Sequence, residues 1–220
     1  MLVEHEGRRP TIHPTAYVAP NAVVSGDVDI MEDARILFGA TVTAEGGPIR
    51  IGSTSIVMEG ALIRATKRHP VTIGSHVLVG PRAYLSGCTV AHEVFLATGA
   101  TVLNGARLEA RAEVRINGVV HVNSRVPEET TVPIGWVAVG DPAEILPPGE
   151  HARIWEIQED LDFPGTVFGL ARPAPGGTLM PALTRRYSRG LRSHLDDRVL
   201  TALEPPEDLE EEPTGRHAGL

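Results

Sequence analysis

A six-residue repeat constrains this chain more than any other feature. Aliphatic residues head successive hexads at Ile12, Val18, Val24, Ile30, Ile36 and Val42. They resume at Ile51, Val57 and Ile63, and again at Ile73, Val79 and Leu85. A last series runs from Val90 through Leu96, Val102, Leu108, Val114, Val120, Val126 and Val132 to Ala138. Four positions after many of these heads stands a small residue, as at Ala16, Ala22, Ala34, Ala40, Ala61, Ala83, Ala100 and Ala106. A helix would need apolar spacings of three and four rather than a sustained six. The period of six belongs to a parallel β-helix, in which each hexad forms one flat side of a triangular prism. The head fills the interior, and the small residue lets the chain turn the corner. The repeat predicts an all-β solenoid of about seven coils within residues 1–145. At the strand spacing of about 4.8 Å, seven coils rise roughly 34 Å.

Three interruptions break the period. Three extra residues fall between Val42 and Ile51, and four between Ile63 and Ile73. The unit that starts at Leu85 is one residue short. The prism interior has no room for the additions, so both are expected to bulge outward as loops, where functional groups often sit. A coil of about eighteen residues, lengthened by these additions, stacks Thr43, Arg64 and Ser86 in one outward-facing column beside the loops.

The hexads stop after Gly140-Asp141-Pro142-Ala143. Ile154, Ile157 and Leu161 are spaced for a helix over 150–161, with Trp155 widening its apolar face, so residues 146–163 are assigned to a helix packed on the prism. Pro and Gly dominate 163–181, which reads as an extended linker. Leu183, Tyr187, Leu191 and Leu195 predict a second helix over 182–203, so linker and helix together make up 164–203. Residues 204–220 are acidic and Pro-rich and are expected to be disordered.

Composition narrows the function classes. The net charge of −8 argues against nucleic acid as the main partner. No apolar run approaches the roughly 20 residues of a membrane span, and the N-terminal stretch has no apolar signal region. The single cysteine, Cys88, fits a reducing compartment and a cytoplasmic protein.

The pieces GGPIRIG (46–52), VTIG (71–74), VLVG (77–80), SGC (86–88) and VGDPAEI (139–145), with the short unit at Cys88 and the loop before Ile73, resemble the γ-class carbonic anhydrases. The resemblance covers about residues 10–160. It implies a left-handed β-helix, a hand the period alone does not give. It also implies a homotrimer, with zinc held by three histidines at the subunit contact and a zinc-bound hydroxide that attacks CO2. Aligned on that frame, the three histidine positions carry Arg64, Pro81 and Ser86. The family's Arg-Gly-Asp stretch falls on Thr43, Ala44 and Glu45, and its nearby Asn and Gln fall on Ile56 and Met58. Only the acid that follows them is kept, as Glu59. Arginine stays protonated and has no lone pair to give a metal. No metal and no cofactor are therefore expected at this position, and no catalytic residue is assigned.

One local excess remains. Between Gly60 and His92 the chain has no Asp or Glu, yet carries Arg64, Lys67, Arg68 and Arg82 with His69, His76 and His92. These cations form either a solvated basic loop paired to acids such as Glu45 or Glu59, or a pocket for a small anion. In the second case the set is Arg64, Arg82, Ser86, Thr43 and Glu59, with guanidinium suited to a carboxylate, bicarbonate or phosphate. The reading taken from the sequence is a zinc-less trimeric scaffold or small-anion-binding protein. Two others stay open. One is a hexapeptide-repeat acyltransferase that uses acyl-CoA, with His69 or His92 as base. The other is a metal relocated to His69, His76, His92 or His121. Glu144, where the acyltransferases commonly carry a lysine, speaks against CoA. Leu62, Leu78 and Tyr84, apolar at outward positions, are expected to be covered by trimer contacts.

Overall fold

The computed structural model describes residues 1–174 and 176–200, so the acidic tail at 204–220 and the last residues of the second predicted helix lie outside the described residues. The hexads fold into a parallel β-helix with three sheets. The first face is a 10-stranded sheet, and the second and third faces have seven strands each. Along the parallel ladders of all three faces the partner of a strand is the one three strands away in sequence, which is the signature of a three-sided coil; only the two end pairs of the first face depart from it.

The register follows the hexad heads. Ile63 pairs with Val42 and Leu85, Ile73 with Ile51 and Val90, and Val79 with Val57 and Leu96. These heads are almost fully buried, and so are the corner alanines Ala22, Ala34, Ala40, Ala61, Ala83 and Ala100. Like heads therefore stack on like heads through the whole prism, and each coil buries its interior against the next.

The solenoid starts one rung earlier than the hexads. Strand Leu2–Glu4, with Val3 buried, opens the first face and pairs with Val23–Ser25. Its link to the head at Ile12 is longer than six because a tight turn, closed by a bridge between His5 and Arg8, intervenes. That turn hides the first unit from a six-residue count.

The two long interruptions do not simply bulge. They first lengthen strands Thr41–Glu45 and Leu62–Thr66 to five residues each, and only then turn. The two extensions lie on consecutive coils and pair with each other, Ala65 on Ala44 and Thr66 on Glu45, while Ala44 and Ala65 stay buried. Two insertions of similar length on adjacent coils satisfy each other's backbone groups, which a lone bulge would leave to solvent. At the turn, a Cβ on Gly47 would collide with the Thr66 carbonyl, so only glycine lets the two layers close here.

After a final hairpin, Val137–Val139 against Glu144–Leu146, helix α1 (His151–Asp160) packs on the prism through Ile154. Trp155 does not widen that face. It is exposed, with the Arg172 guanidinium 5.2 Å from its ring centre. The Pro/Gly segment is more ordered than its composition suggests. Residues Pro164–Phe168 form a single wide helical turn, held to the prism by His69 Nε2 on the Thr166 carbonyl (2.9 Å) and Asn123 Nδ2 on Thr166 Oγ1 (2.9 Å).

Helix α2 (Met180–Gly190) covers the first part of the predicted second helix. The chain then tightens into a 3-10 segment, Leu191–Asp196, and ends in strand Arg198–Leu200. That strand pairs antiparallel with Leu2–Glu4, Val199 opposite Val3. The reward is a set of backbone bonds on an otherwise open sheet edge. Leu195, expected on the apolar side of a continuous helix, is left 81% exposed.

The packing predicts a sharp contrast between inward and outward positions. Leu85→Ala is expected to lower unfolding stability by about 2–5 kcal/mol, and Thr72→Ala, exposed between the buried Val71 and Ile73, by no more than about 0.5 kcal/mol. Urea denaturation of both variants checks this.

Candidate functional site

Strand alternation decides which side chains reach the first face. With Val42, Ile63 and Leu85 pointing inward, residues 43, 64 and 86 point out. The ladder pairs Ser25 with Thr43, Thr43 with Arg64, and Arg64 with Ser86. The column expected from the coil length is thus present as a continuous row.

The row is partly covered. The chain from Phe163 to His194 lies over it, and the two line a half-open cavity of about 610 Å3. The first face contributes Arg64, Thr66, Tyr84 and Ser86, and the adjoining turn contributes Lys67 and Arg68. The cover contributes Phe163, Phe168, Leu183, Arg186, Tyr187 and His194. Tyr84, an outward apolar residue expected at a subunit contact, lies beneath this cover, while Leu62 and Leu78 are half-buried.

Arg64 sits in the floor. Its Nη2 donates to Glu45 Oε2 at 2.6 Å, and the Tyr187 ring centre lies 5.3 Å from its guanidinium carbon. Desolvation favours loss of its proton, but the hydrogen bond and charge of Glu45 outweigh it and drive the pKa above the ordinary value. Arg64 is therefore a fixed cation. Glu45 and a hydrogen bond with Tyr187 satisfy only part of it, because among the described residues nothing pairs with its buried Nε. An unpaired N–H on a buried guanidinium costs more than an ordinary orphan donor, so it favours an acceptor from a ligand or water.

The remaining positions of the anion set separate. Glu59, Pro81 and Arg82 sit at the corner between the third and first faces, where the Arg82 N–H donates to the Glu59 carbonyl (3.0 Å). None of the three lines the cavity, and Thr43 meets Arg64 through the ladder rather than the cavity wall. The cations gathered with Arg64 are instead Lys67, Arg68 and Arg186. Arg186 could not be assigned to the site from its place in the sequence, since only the folding back of α2 brings it there.

The four histidines considered from the sequence also disperse. His69 donates from Nε2 to a carbonyl that anchors the cover, so it positions that segment. His76 is exposed in a left-handed turn. His92 accepts the Ser75 N–H at Nδ1 (3.1 Å). His121 is buried against Phe163, 6.3 Å between ring centres. Among the described residues, the group whose ligand atoms converge is a different one, His5, His194 and Asp197. His5 Nδ1 lies 2.6 Å from Asp197 Oδ1, and His194 Nδ1 lies 2.9 Å from Oδ2. His5 and Asp197 are 192 positions apart, and no spacing rule could have joined them. Burial alone would raise the Asp197 pKa, but the hydrogen bonds from both imidazoles outweigh it and leave the pKa below the usual carboxylate value.

Zinc chemistry can be tested against the donors at the aligned positions. Proline at 81 offers no side-chain donor, Arg64 is a cation held by Glu45, and Ser86 is a neutral hydroxyl. A zinc site with an open position needs three lone-pair donors such as imidazoles. These three residues do not fit the ion. Cys88 does not replace them, because it is buried and desolvation pushes its thiol up to about 12.

No protein-family model matches the chain. Gamma carbonic anhydrase 1, mitochondrial, of Arabidopsis thaliana is 33% identical over 145 residues, which cover 63% of this chain and 50% of that one. A carbonic anhydrase of Geobacillus kaustophilus is 25% identical over 108 residues, covering 49% of this chain and 59% of that one. A crystal structure of a hexapeptide transferase family protein from Anaplasma phagocytophilum has a TM-score of 0.50 at 24% identity, covering 74% of this chain and 92% of that one. The chain spans about half the length of the Arabidopsis relative. The coil register and the solved neighbour agree on the fold, a three-sided parallel β-helix built on a six-residue repeat. Over the matched residues the chain is similar to the γ carbonic anhydrases of Arabidopsis thaliana.

His121 gives a pH prediction. Desolvation, the larger cause, lowers its pKa despite a bond with the backbone of Val122. Between the ordinary histidine value of about 6.5 and the lowered folded value, the unfolded chain binds the proton more readily. Stability is therefore whole above about 6.5 and declines as pH falls through that window. His121→Gln is expected to lose this part of the acid sensitivity, as read from urea midpoints on either side of the window.

Proposed function

We propose that this chain is a γ-carbonic-anhydrase-like protein in which the aligned zinc position has become part of a pocket for a small anion, and that it does not hydrate CO2. The observation that carries this reading is Arg64, a fixed cation in the floor of a half-open cavity, with a buried Nε that no group among the described residues satisfies. Lys67, Arg68 and Arg186 add positive charge to the same wall, and Glu45 is the counter-charge. A planar anion such as bicarbonate or a carboxylate suits the remaining guanidinium edge, and phosphate is the larger option. The acyltransferase alternative has less support. His69 is engaged with the Thr166 carbonyl, and His92 does not line the cavity.

Thermal shifts with bicarbonate, acetate, phosphate and acetyl-CoA, against chloride at equal ionic strength, test the reading. Wild type is expected to be stabilised by a small anion, by about 2.7 kcal/mol at a hundredfold excess over Kd, and Arg64→Ala to lose that response. Equal responses in both proteins, a response to acetyl-CoA alone, or CO2 hydration above background would contradict it.

The proposal includes a homotrimer. The corner between the third and first faces stacks Phe38, Glu59, Pro81, Thr98, Ile116 and Ile134, as the backbone bonds from residues 60, 82, 99, 117 and 135 record. Phe38 is 51% exposed, Ile116 45% and Ile134 66%, so an apolar ridge flanks Pro81. Ridges of this kind mark association surfaces. Light scattering is expected to give a trimeric mass for wild type and a monomeric mass for Phe38→Asp/Ile134→Asp with unchanged far-UV dichroism. A monomeric wild type would remove the trimer from the account.

A further inference from the structure

Beyond the anion pocket, we propose that His5, His194 and Asp197 form a binding site for a divalent transition-metal ion of the zinc type, and that the ion clasps the C-terminal segment onto the first coil. The three residues come from both ends of the described chain. His5 follows strand Leu2–Glu4, and His194 and Asp197 flank the entry into strand Arg198–Leu200. Their ligand atoms all lie within 4.8 Å of one another.

The geometry is more specific than surface proximity. Both imidazoles aim the same nitrogen, Nδ1, at opposite oxygens of one carboxylate, at 2.6 and 2.9 Å. The rings are stacked with centres 4.5 Å apart and planes 26° from parallel, so neither turns away without losing the other. His5 is only 3% exposed. Two imidazoles and a carboxylate are a common donor set for zinc; the 2.6 and 2.9 Å contacts are hydrogen bonds, and parting them to roughly 3.4 Å would admit a tetrahedral ion with bonds of about 2.0–2.2 Å. On binding, the ion replaces the proton at each Nδ1 and each ring stays a neutral imidazole with its proton on Nε2, so a ring that carried one proton only moves it and a ring that carried two releases one to solvent; the carboxylate keeps its charge.

Three protein ligands leave at least one position free. His5 and His194 both line the cavity that holds Arg64, so that position faces the same cavity. The ion would join two segments that otherwise meet through a three-residue strand pair. Metal binding then adds to folding stability by linkage, acting on the closure of the cover.

The test uses the full chain, stripped with chelator and dialysed. Zn2+ or Co2+ is titrated in while bound metal is counted by mass spectrometry, Co2+ absorption is recorded, and proteolysis within residues 163–200 is timed. Wild type is expected to bind one ion per chain, to show the visible Co2+ bands of a site with imidazole ligands, and to resist proteolysis better with metal than without. His194→Gln and Asp197→Asn are expected to lose all three effects. His76→Gln, at an exposed turn, should keep them. Absence of stoichiometric metal in wild type would overturn the proposal, and so would equal binding in His194→Gln or Asp197→Asn. Wild type reads the first outcome directly, so misfolding of a variant does not shield the proposal.

Discussion

The structure depends on the in-register stacking of buried hexad heads. Each coil has no core of its own and gains one only when Val42, Ile63 and Leu85, or their equivalents on the other faces, lie directly on one another. A slip of one residue would turn every head outward, so the register is tightly held. The same constraint fixes what lies outside. Once Ile63 sits on Val42, Arg64 must sit on Thr43 and beneath Ser86, whatever chemistry those residues have. The position of the site is inherited from packing, and only its chemistry is free to vary.

What varies is the pair of insertions and the C-terminal segment. The insertions extend two neighbouring strands and bring Glu45 within reach of Arg64. The C-terminal segment then crosses the face, lays Tyr187 over the guanidinium and returns as a strand beside Leu2–Glu4. Gly87 shows how close the fit is. It has φ +53°, and a Cβ there would run into His69, the residue that anchors the segment at Thr166. The one-residue shortening after Leu85 gives the tight turn that this approach requires.

The prism and the row at 43, 64 and 86 were legible in the sequence because both follow from a fixed period. The cover was not, because its contacts join residues far apart. Asp197 meets His5, and Tyr187 and Arg186 meet the face of Arg64, through a chain path with no periodic signal. Composition also misled there. Pro and Gly in 163–181 read as a linker, yet part of that stretch forms a docked turn because His69 and Asn123, from two different coils, supply hydrogen-bond partners. The opposite error came from local charge. Arg82 and Glu59 look like pocket residues by sequence distance, but corner geometry sends them to the ridge at Pro81.

The claim that ties these parts together is that the C-terminal segment closes over the first face and makes a cavity of an exposed row. Hydrogen exchange of the full chain tests it most directly. Amides of residues 165–168 and of Arg198–Leu200 should exchange far more slowly than an unstructured peptide, and the latter should speed up in His5→Gln while the interior strands Thr41–Glu45 and Leu62–Thr66 stay protected. Exchange of both segments at the unstructured rate in the wild type would contradict the account and leave Arg64 on an open surface.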